Sequence, residues 1–437
     1  MSLQPNIIFL AIDTLRADHL GCYRYRHNTS PRIDQLASEG VLCEKFFCAG
    51  APTYPSFTTT YTGQHPLTHG IVAHGGKNQL DKEAPFLTQL LLEEGYTTCA
   101  VDNLNRARSW FMRGYEFYID PSVRRALVLG VTCEELNNRA IPWLRMHADE
   151  QFFLFIHYWD PHWPYTPPAR YRNLFYNGGN PTDPNNRALE PWWQTPLGSV
   201  AQNTWLRTSE GLITDPAYVE ALYDAEIRHL DDGIGQIMDT LDELGIAGDT
   251  LIVFFGDHGE SLTEHGIFFD HHGLYENTIR VPMILRWPGT LPAGKRLPQM
   301  LQHHDIAPTV LDAADMDIPS AMDGRSFWSL ATGDSDVGGR EWVATAESTR
   351  MAKWSLRTER HKFILARHPD FYGFPPRELY DLENDPEETH NLVDEQPELA
   401  AQLEQKLEDW IATRLAELGK TEDPVQAQGI SLGWEMF

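Results

Sequence analysis

An α/β fold, with helices on both faces of a mostly parallel sheet, is predicted by three buried-strand patterns and by the helical patterns between them. Uninterrupted apolar runs, each typical of a strand covered on both faces, lie at residues 7–12, 152–156 and 251–255. Apolar residues recur at helical spacing over residues 86–94, 218–244 and 305–314. This alternation of strands and helices is characteristic of the α/β class.

Polar residues follow each of the three predicted strands. Asp13 follows the first strand, His157 the second, and Asp257 with His258 the third. Open α/β sheets bind their ligands at the carboxyl ends of the strands, so we expect these side chains to lie close together. Two carboxylates and an imidazole suit a divalent metal ion. The two aspartates could instead cap helices that follow their strands.

A second, smaller domain is predicted from the chain length and from a change of pattern near residue 340. The 437 residues exceed the roughly 250–300 that one core usually serves. Short segments at 354–358 and 362–365 are typical of antiparallel strands. A helix follows, with one apolar face formed by Leu399, Leu403, Leu407 and Trp410. We therefore predict a large α/β domain at 1–340 and a small α+β domain at 341–437, whose tail from residue 419 has no clear periodicity.

The charge of the chain limits its partners. A formal charge of −27 and the absence of any Lys/Arg run argue against a nucleic-acid platform. An acidic surface also repels a small anionic substrate, so a site for one needs a metal ion or local cations. The sequence leaves the oligomeric state open, including a homo-oligomer.

Cysteine usage and the first apolar run bear on location. Five cysteines at irregular spacing indicate buried or free thiols rather than a disulfide framework. The run at 7–12 is too short for a leader segment or for crossing a bilayer, so no membrane association is expected. We therefore expect a cytoplasmic protein, with export left open for a chain that has lost its leader.

Residues 51–66 resemble the nucleophile segment of the sulfatases, a family of the alkaline phosphatase superfamily. That segment has a Cys or Ser, then a Pro and an Arg at two-residue steps, followed by a helix and a Thr-Gly turn. Thr53, Pro55 and Phe57 hold the first three positions here, and Thr62 with Gly63 matches the turn. Other segments match in the family's order: 157–164, 256–260, 273–276, 280–282, 305–309, 323–326 and 378–386. The resemblance covers nearly the whole chain and implies an alkaline-phosphatase-like α/β/α sandwich.

Two departures from the family pattern concern the nucleophile. The sulfatase Cys or Ser is oxidised to formylglycine, which acts as a hydrated aldehyde, whereas Thr53 cannot form that aldehyde. Phe57 replaces the Arg that supports it. A threonine hydroxyl can still attack if a metal lowers its pKa, and the superfamily's nucleotide phosphodiesterases and phosphoethanolamine transferases use a threonine in this way.

Other departures concern the metal and the substrate anion. Asn103 and Asn105 stand where sulfatases carry a Lys and a His, so positive charge is lost, although an amide can still donate to a phosphoryl oxygen. Ile12 replaces an Asp and His258 an Asn at the metal. Fewer oxygen ligands and one nitrogen favour Mn or Zn over Ca, as in the related phosphonate monoester hydrolases.

The resemblance implies a mechanism with residues in named roles. One divalent ion is held by Asp13, Thr53, Asp257 and His258. The Thr53 oxygen attacks in line and forms a covalent ester. His162 and His272, with His271 as the alternative where the family places a Lys, neutralise charge or protonate the leaving group. Asn103 and these three histidines are the expected substrate contacts, and water then releases the product.

Several other residues have simpler interpretations. His303 and His304 could complete a second metal site, but capping or surface roles are favoured. His229 and Asp224 are expected on an amphipathic helix face. Five aromatic residues could wall a substrate pocket, although core packing is their commoner fate: Tyr158, Trp159, Trp163, Trp192 and Trp193.

Three functions are therefore considered for the chain. The first is a hydrolase of phosphodiesters or phosphonate esters that uses Thr53 on a small anionic substrate. The second is a sulfatase that acts without formylglycine. The third is an inactive relative that only binds ligands. Thr53 and Phe57 favour the first over the second, and the retained metal-ligand set argues against the third.

Overall fold

The computed structural model describes residues 4–122 and 130–431 of the chain. The strands are β1 (Asn6–Ile12), β2 (Val41–Phe47), β3 (Gly50–Ala51), β4 (Thr97–Val101), β5 (Phe117–Ile119), β6 (Phe152–Tyr158), β7 (Arg207–Thr208), β8 (Gly211–Leu212), β9 (Thr250–Gly256), β10 (Met283–Arg286), β11 (Lys295–Gln302), β12 (Trp342–Glu347), β13 (Ala352–Thr358), β14 (His361–His368) and β15 (Arg377–Asp381). The α-helices are α1 (Pro31–Ser38), α2 (Thr53–Thr62), α3 (Pro66–His69), α4 (Leu87–Glu93), α5 (Cys133–Met146), α6 (Glu190–Trp193), α7 (Pro196–Asn203), α8 (Pro216–Leu244), α9 (Glu276–Ile279), α10 (Ile306–Ala313), α11 (Trp328–Thr332), α12 (Pro397–Glu417) and α13 (Pro424–Gln428).

Within the described residues, the large sheet has eight strands in the order β11-β2-β10-β9-β1-β6-β4-β5. Strand β10 runs antiparallel to both of its neighbours, and the other neighbouring strands of this sheet pair in parallel. The three strands that the apolar runs predict, β1, β6 and β9, are adjacent at the centre of the sheet. One boundary was wrong: β6 continues through Tyr158, so His157 lies inside the strand rather than after it.

Two apolar cores lie on opposite faces of this sheet. Successive side chains of β1 enter one core and then the other, because successive side chains of a strand point to opposite faces of the sheet. Ile8 and Leu10 pack with residues of α1, α5 and α8, whereas Ile7 and Phe9 pack with residues of α2, α4 and α10. The predicted α/β/α sandwich is confirmed.

A smaller sheet follows in sequence and has the strand order β15-β14-β13-β12-β3. Helix α12 packs on it with Leu403, Leu407 and Ile411. Short helix α13 lies in the tail that was read as aperiodic, which corrects that reading for the described part of the tail, and residues 432–437 lie outside the described residues. The division at 340/341 stays a prediction.

Strand β3 joins the two sheets near the nucleophile segment. It pairs in parallel with β12, with Ala51 opposite Glu347, and it comes just before Thr53 in sequence. The small sheet therefore lies next to the start of α2, a connection that the sequence did not predict.

The structure also describes the state of the cysteines and the character of the helices. Cys22 and the buried Cys43, Cys48, Cys99 and Cys133 are free thiols. No helix in the part of the chain that the structure describes has the length and apolar character needed to cross a membrane.

Candidate active site

Asp13 and Asp257 lie side by side because their strands are paired neighbours. Ile12 at the end of β1 is opposite Gly256 at the end of β9, so each strand delivers its aspartate one residue later. Both carboxylates are fully buried. Neither residue caps a helix: the first helical turn after β1 begins at Ala17 and has Arg16 at its cap. The alternative reading of the two aspartates as helix caps is therefore wrong.

His258 completes the group with a nitrogen lone pair. Its Nδ1 lies 3.0 Å from the carbonyl oxygen of Gly259, which can only accept, so Nδ1 carries the proton. Nε2 is left as an acceptor, 3.4 Å from Asp257 Oδ2 and 3.8 Å from Asp13 Oδ1. This arrangement, in which a backbone oxygen fixes the ring tautomer, is typical of metal-binding histidines.

Thr53 faces this group from the first turn of α2. Its Oγ1 lies 3.2 Å from His258 Nε2, and its side chain is buried. Because Thr53 begins the ten-residue helix α2, its oxygen lies in the positive field of the helix N-terminus. That field stabilises negative charge developing on Oγ1.

Ser56 and His303 hold α2 against the end of β9. Ser56 Oγ donates to the carbonyl oxygen of Asp257 at 2.8 Å and lies 3.0 Å from His303 Nδ1. His303 Nε2 lies 3.0 Å from the carbonyl oxygen of Gly256. His303 and His304 are both buried, so the expectation of a capping or surface role was wrong for them. His303 instead positions the segment that carries Thr53.

The donor atoms fit a divalent cation. Oδ1 of Asp257 accepts from the backbone N–H groups of Thr14 and His258, at 3.1 and 2.7 Å. In contrast, Asp257 Oδ2 and both carboxylate oxygens of Asp13 are buried and accept no hydrogen bond from the described residues. Buried carboxylates of this kind are strongly unfavourable unless a cation lies between them. Asp13, Asp257 and His258 form one of the groups able to hold a metal among the described residues.

The pKa values of these groups reflect burial and mutual repulsion. Burial, together with repulsion from Asp13, raises the pKa of Asp257 well above its usual range. Burial acts in the same direction on Asp13, but contact with His157 and the fields of His162 and His258 outweigh it and lower its pKa to about 2. Burial also lowers the pKa of His258 to about 4, so its ring is neutral and its lone pair is available.

His157 and Asp102 form a supporting pair: sequence reasoning placed His157 at the ligand-binding edge of the sheet but gave neither residue a role. His157 Nε2 lies 3.3 Å from Asp13 Oδ2, and its Nδ1 lies 3.0 Å from Asp102 Oδ1. Burial disfavours the charged ring, but the two carboxylates prevail and raise its pKa to about 9. The raised pKa favours the charged form of His157, whose ring lies next to Asp13 Oδ2 and offsets its charge. A histidine inside an otherwise apolar strand was the signal that could have revealed it.

Phe57 lies against His157 where sulfatases carry an arginine. The two rings are 4.8 Å apart, and Phe57 also packs on Phe155 and Phe255. Phe57 is fully buried in the core below the sheet ends. An aromatic ring thus replaces a cation beside the imidazolium of His157.

His162 and Asn103 lie around Trp159. His162 follows β6 in the predicted loop, its ring is 5.7 Å from that of Trp159, and its Nδ1 donates to the carbonyl oxygen of Trp163 at 2.6 Å. Asn103 accepts from Trp159 Nε1 and donates to Ser122, both at 3.2 Å. His162 also lies near the candidate site, since its ring is 5.2 Å from that of His271. The Asn103 amide is engaged with Trp159 and Ser122.

His271 and His272 lie in the loop after β9, beside the first group. The His271 ring is 4.8 Å from that of His258 and 5.2 Å from that of His162. His272 Nδ1 lies 2.6 Å from Glu347 Oε1, at the end of β12. Glu347 was missed because the sequence assigns it to the smaller domain.

Asp160 and His229 belong to another candidate metal-binding group, with Cys133. His229 and Asp224 are both on α8, as expected, but both are buried rather than on a polar face. Tyr158, Trp159 and Trp192 are buried members of the core, so core packing is confirmed for these three aromatic residues.

Two family models match the chain. The model described as Sulfatase matches residues 5–316, and the one described as N-sulphoglucosamine sulphohydrolase, C-terminal, matches residues 263–413. The arylsulfatase of Clostridium perfringens is 25% identical to this chain over 90% of each protein. Iduronate 2-sulfatase of Mus musculus is 27% identical over 70% of this chain and 64% of its own length.

Solved structures share the fold. The phosphonate monoester hydrolase of Agrobacterium radiobacter superposes with a TM-score of 0.74 at 22% identity, covering 94% of this chain and 96% of its own. A protein solved in complex with its substrate D-glucosamine-2-N,6-O-disulfate superposes with a TM-score of 0.75 at 19% identity, covering 96% and 99%. At these identities, the likeness concerns the fold.

Proposed function

The chain belongs to the sulfatase family, an ester hydrolase family of the alkaline phosphatase superfamily, and within it we propose a hydrolase of phosphodiesters or phosphonate monoesters with Thr53 as nucleophile. One observation carries the proposal: Thr53 Oγ1 lies 3.2 Å from Nε2 of His258, which forms a candidate metal-binding group with Asp13 and Asp257. A side-chain hydroxyl at that place can attack an ester that shares the same cation.

Asp13, Asp257 and His258 would hold the divalent ion, with Thr53 as a further ligand. Members of the family depend on such an ion, and when bound it lowers the pKa of a hydroxyl and polarises the ester oxygen. One nitrogen and two carboxylates favour Mn or Zn, with Ca as the alternative. His157 keeps Asp13 ionised and oriented for this task.

The reaction proceeds in two displacements. Thr53 Oγ releases its proton to solvent and forms a bond to phosphorus while the bond to the leaving oxygen breaks. His162, His271 or His272 supplies a proton to that oxygen or balances its charge. Water then attacks the same phosphorus, the bond to Thr53 Oγ breaks, and the Thr53 oxygen regains its proton.

The residues around Thr53 favour phosphorus over sulfur. A threonyl ester has no second hydroxyl on the same carbon, so the anion leaves only when water attacks at phosphorus or sulfur. Phe57 stands where the family has an arginine, and His271 or His272 stands where it has a lysine, which changes the charge that the anion meets. The sulfatase relatives favour the second candidate, hydrolysis of a sulfate ester without formylglycine.

A panel of aryl esters separates the two candidates. The purified chain with added Mn or Zn is assayed on a diaryl phosphate, an aryl phosphonate monoester and an aryl sulfate with one shared leaving group. We expect the phosphorus esters to be cleaved faster. Thr53→Ala should lower the rate by about 10³-fold or more, because nucleophile and metal act as one unit. A dominant sulfate rate, or an unchanged Thr53→Ala, rejects the proposal.

The remaining expectations also stay proposals. A small anionic ester is the proposed partner, because a cation bound by the donor atoms of the site would attract an anion. Four buried free thiols support a reducing compartment, and we propose a cytoplasmic location on that basis.

A further inference from the structure

A cluster beside the first site has the features of a second cation site. It consists of Glu260, Asp270, His271 and His272, all in the segment that follows β9 and all buried. Asp270, His271 and His272 offer ligand atoms within 4.8 Å of one another. We propose that this cluster binds a second divalent cation, coordinated by the Asp270 and Glu260 carboxylates and by His271 Nδ1 and His272 Nε2.

The first argument is the tautomer of His272. Its Nδ1 lies 2.6 Å from Glu347 Oε1, and an ionised carboxylate can only accept, so Nδ1 carries the proton. His272 Nε2 then presents a lone pair towards Asp270 Oδ1, 3.4 Å away. Two acceptors that face each other need a cation between them. A direct charged hydrogen bond would be shorter, at about 2.7–2.9 Å.

The second argument is independent and comes from Glu260 and His271. Both carboxylate oxygens of Glu260 are buried and accept no hydrogen bond from the described residues, and His271 Nδ1 likewise has none. His271 Nδ1 lies 4.0 Å from Glu260 Oε2 and 4.0 Å from Asp270 Oδ1. Unpaired ligand atoms of Glu260 and His271 thus lie next to each other beside Asp270, and a bound cation would satisfy them together.

Surrounding residues fix the orientation of these ligands. Arg350 binds Asp270 Oδ2 at 2.7 Å, which leaves Oδ1 turned towards the histidines. Glu347 fixes His272, and its other oxygen accepts from the backbone N–H of Gly273 at 2.8 Å. Outer contacts of this kind orient ligands in known metal sites. Both outer side chains, Glu347 and Arg350, belong to the part of the chain that forms the small sheet.

The group of Cys133, Asp160 and His229 is a weaker candidate. Its donors are already engaged: Asp160 Oδ2 accepts from the Cys133 backbone at 2.7 Å, and His229 Nε2 lies 2.8 Å from Glu134 Oε1. In the cluster around Asp270, Asp270 Oδ1 accepts from the backbone N–H of His271 at 3.0 Å, but both Glu260 oxygens and His271 Nδ1 have no hydrogen-bond partner among the described residues. A cation would therefore satisfy more unpaired atoms in this cluster than in the Cys133 group.

A second ion would change the charge next to Thr53. The His271 ring is 4.8 Å from that of His258, so the two proposed sites adjoin. A cation there would restore positive charge where His271 or His272 replaces the family's lysine. The inference concerns ion binding and is independent of the proposed substrate. With His271 and His272 as ligands, His162 is the histidine that remains to protonate the leaving group, so the Thr53 chemistry does not depend on this cluster.

Metal stoichiometry of the full chain tests the inference. The metal-free protein is titrated with Zn²⁺, and bound ions are counted by native mass spectrometry. We expect two ions for the wild type and one for Glu260→Gln or His272→Gln. Asp257→Asn should also lose one ion, but from the first site. His390→Gln, which alters an exposed histidine paired with Glu395, is the control and should keep two.

An anomalous-difference map of zinc-loaded wild-type crystals locates the ions without any variant. The inference predicts a peak between Asp270 and His272 in addition to one beside Asp13. A wild type that binds one ion, a map with no peak at Asp270, or a Glu260→Gln protein that keeps both ions overturns it. Thr53→Ala should still bind at the Asp270 cluster, which separates this test from that of the catalytic proposal.

Discussion

Asp102→Asn should remove most of the stability that the charged His157 contributes. Asp102 Oδ2 accepts from the backbone N–H of Leu104 at 2.9 Å and from the hydroxyl of Tyr118. An asparagine would keep its oxygen on those two donors and turn its NH₂ group towards His157 Nδ1. That nitrogen would then have to accept, so the ring would lose its second proton and its charge.

The size of the effect follows from the pKa of His157. A rise in pKa from 6.5 to about 9 on a fully buried ring corresponds to about 3 kcal/mol, at about 1.36 kcal/mol for each tenfold change in proton affinity. Because the folded-state pKa is raised, this stability is fully present below pH 6.5 and is lost as the pH rises through about 9. The variant should therefore be less stable than the wild type by about 2–3 kcal/mol at pH 6.5, and by little above about pH 9.5.

Urea unfolding of metal-free wild type and Asp102→Asn at pH 6.5 and pH 9.5 measures this difference. Chelation is needed because a cation on Asp13 would compete with His157 for the carboxylate. Glu243→Gln, on the exposed partner of Arg145, is a control that should change little at either pH. An equal loss of stability at both pH values would refute the electrostatic account and indicate a packing defect.

Three further predictions concern the surroundings of Thr53. Phe57→Ala should cost about 3–5 kcal/mol in denaturant unfolding because it empties a fully buried ring site, whereas Phe57→Leu should cost clearly less; equal costs would speak against packing as its role. Ser56→Ala should lower the free energy of unfolding by about 1–3 kcal/mol and slow turnover, because the Asp257 carbonyl oxygen loses its hydrogen-bond donor. Calorimetry measures the first effect and steady-state kinetics the second, and no change in either would contradict a positioning role for Ser56. Chelation should abolish ester hydrolysis, and Mn or Zn should restore it; activity that survives exhaustive chelation would contradict metal dependence.

The central strands and the positions of the proposed first-site ligands were predictable because the relevant signals are local. An apolar run that ends in an aspartate marks both β1 and β9, and the positions of Asp13 and Asp257 follow once the two strands are neighbours. Thr53 was found by resemblance to the family's nucleophile segment, and its distance to His258 agrees with that expectation.

The supporting residues were not predictable because their partners are far away in sequence. His157 was read as the end of a strand, and its pairing with Asp102 depends on β6 lying beside β4. Glu347 reaches His272 only because β3 joins β12 of the small sheet. His303 resembled a surface residue next to a helix start, yet tertiary packing buries it against Ser56.

Detection of a covalent adduct on Thr53 tests the account most directly. The protein is mixed with a diaryl phosphate, quenched in acid within one turnover, and digested for mass spectrometry. The account predicts one aryl phosphoryl group on the peptide that contains Thr53, with the same adduct on Ser in Thr53→Ser and none in Thr53→Ala. An adduct on another residue, or full activity of Thr53→Ala without any adduct, would contradict it.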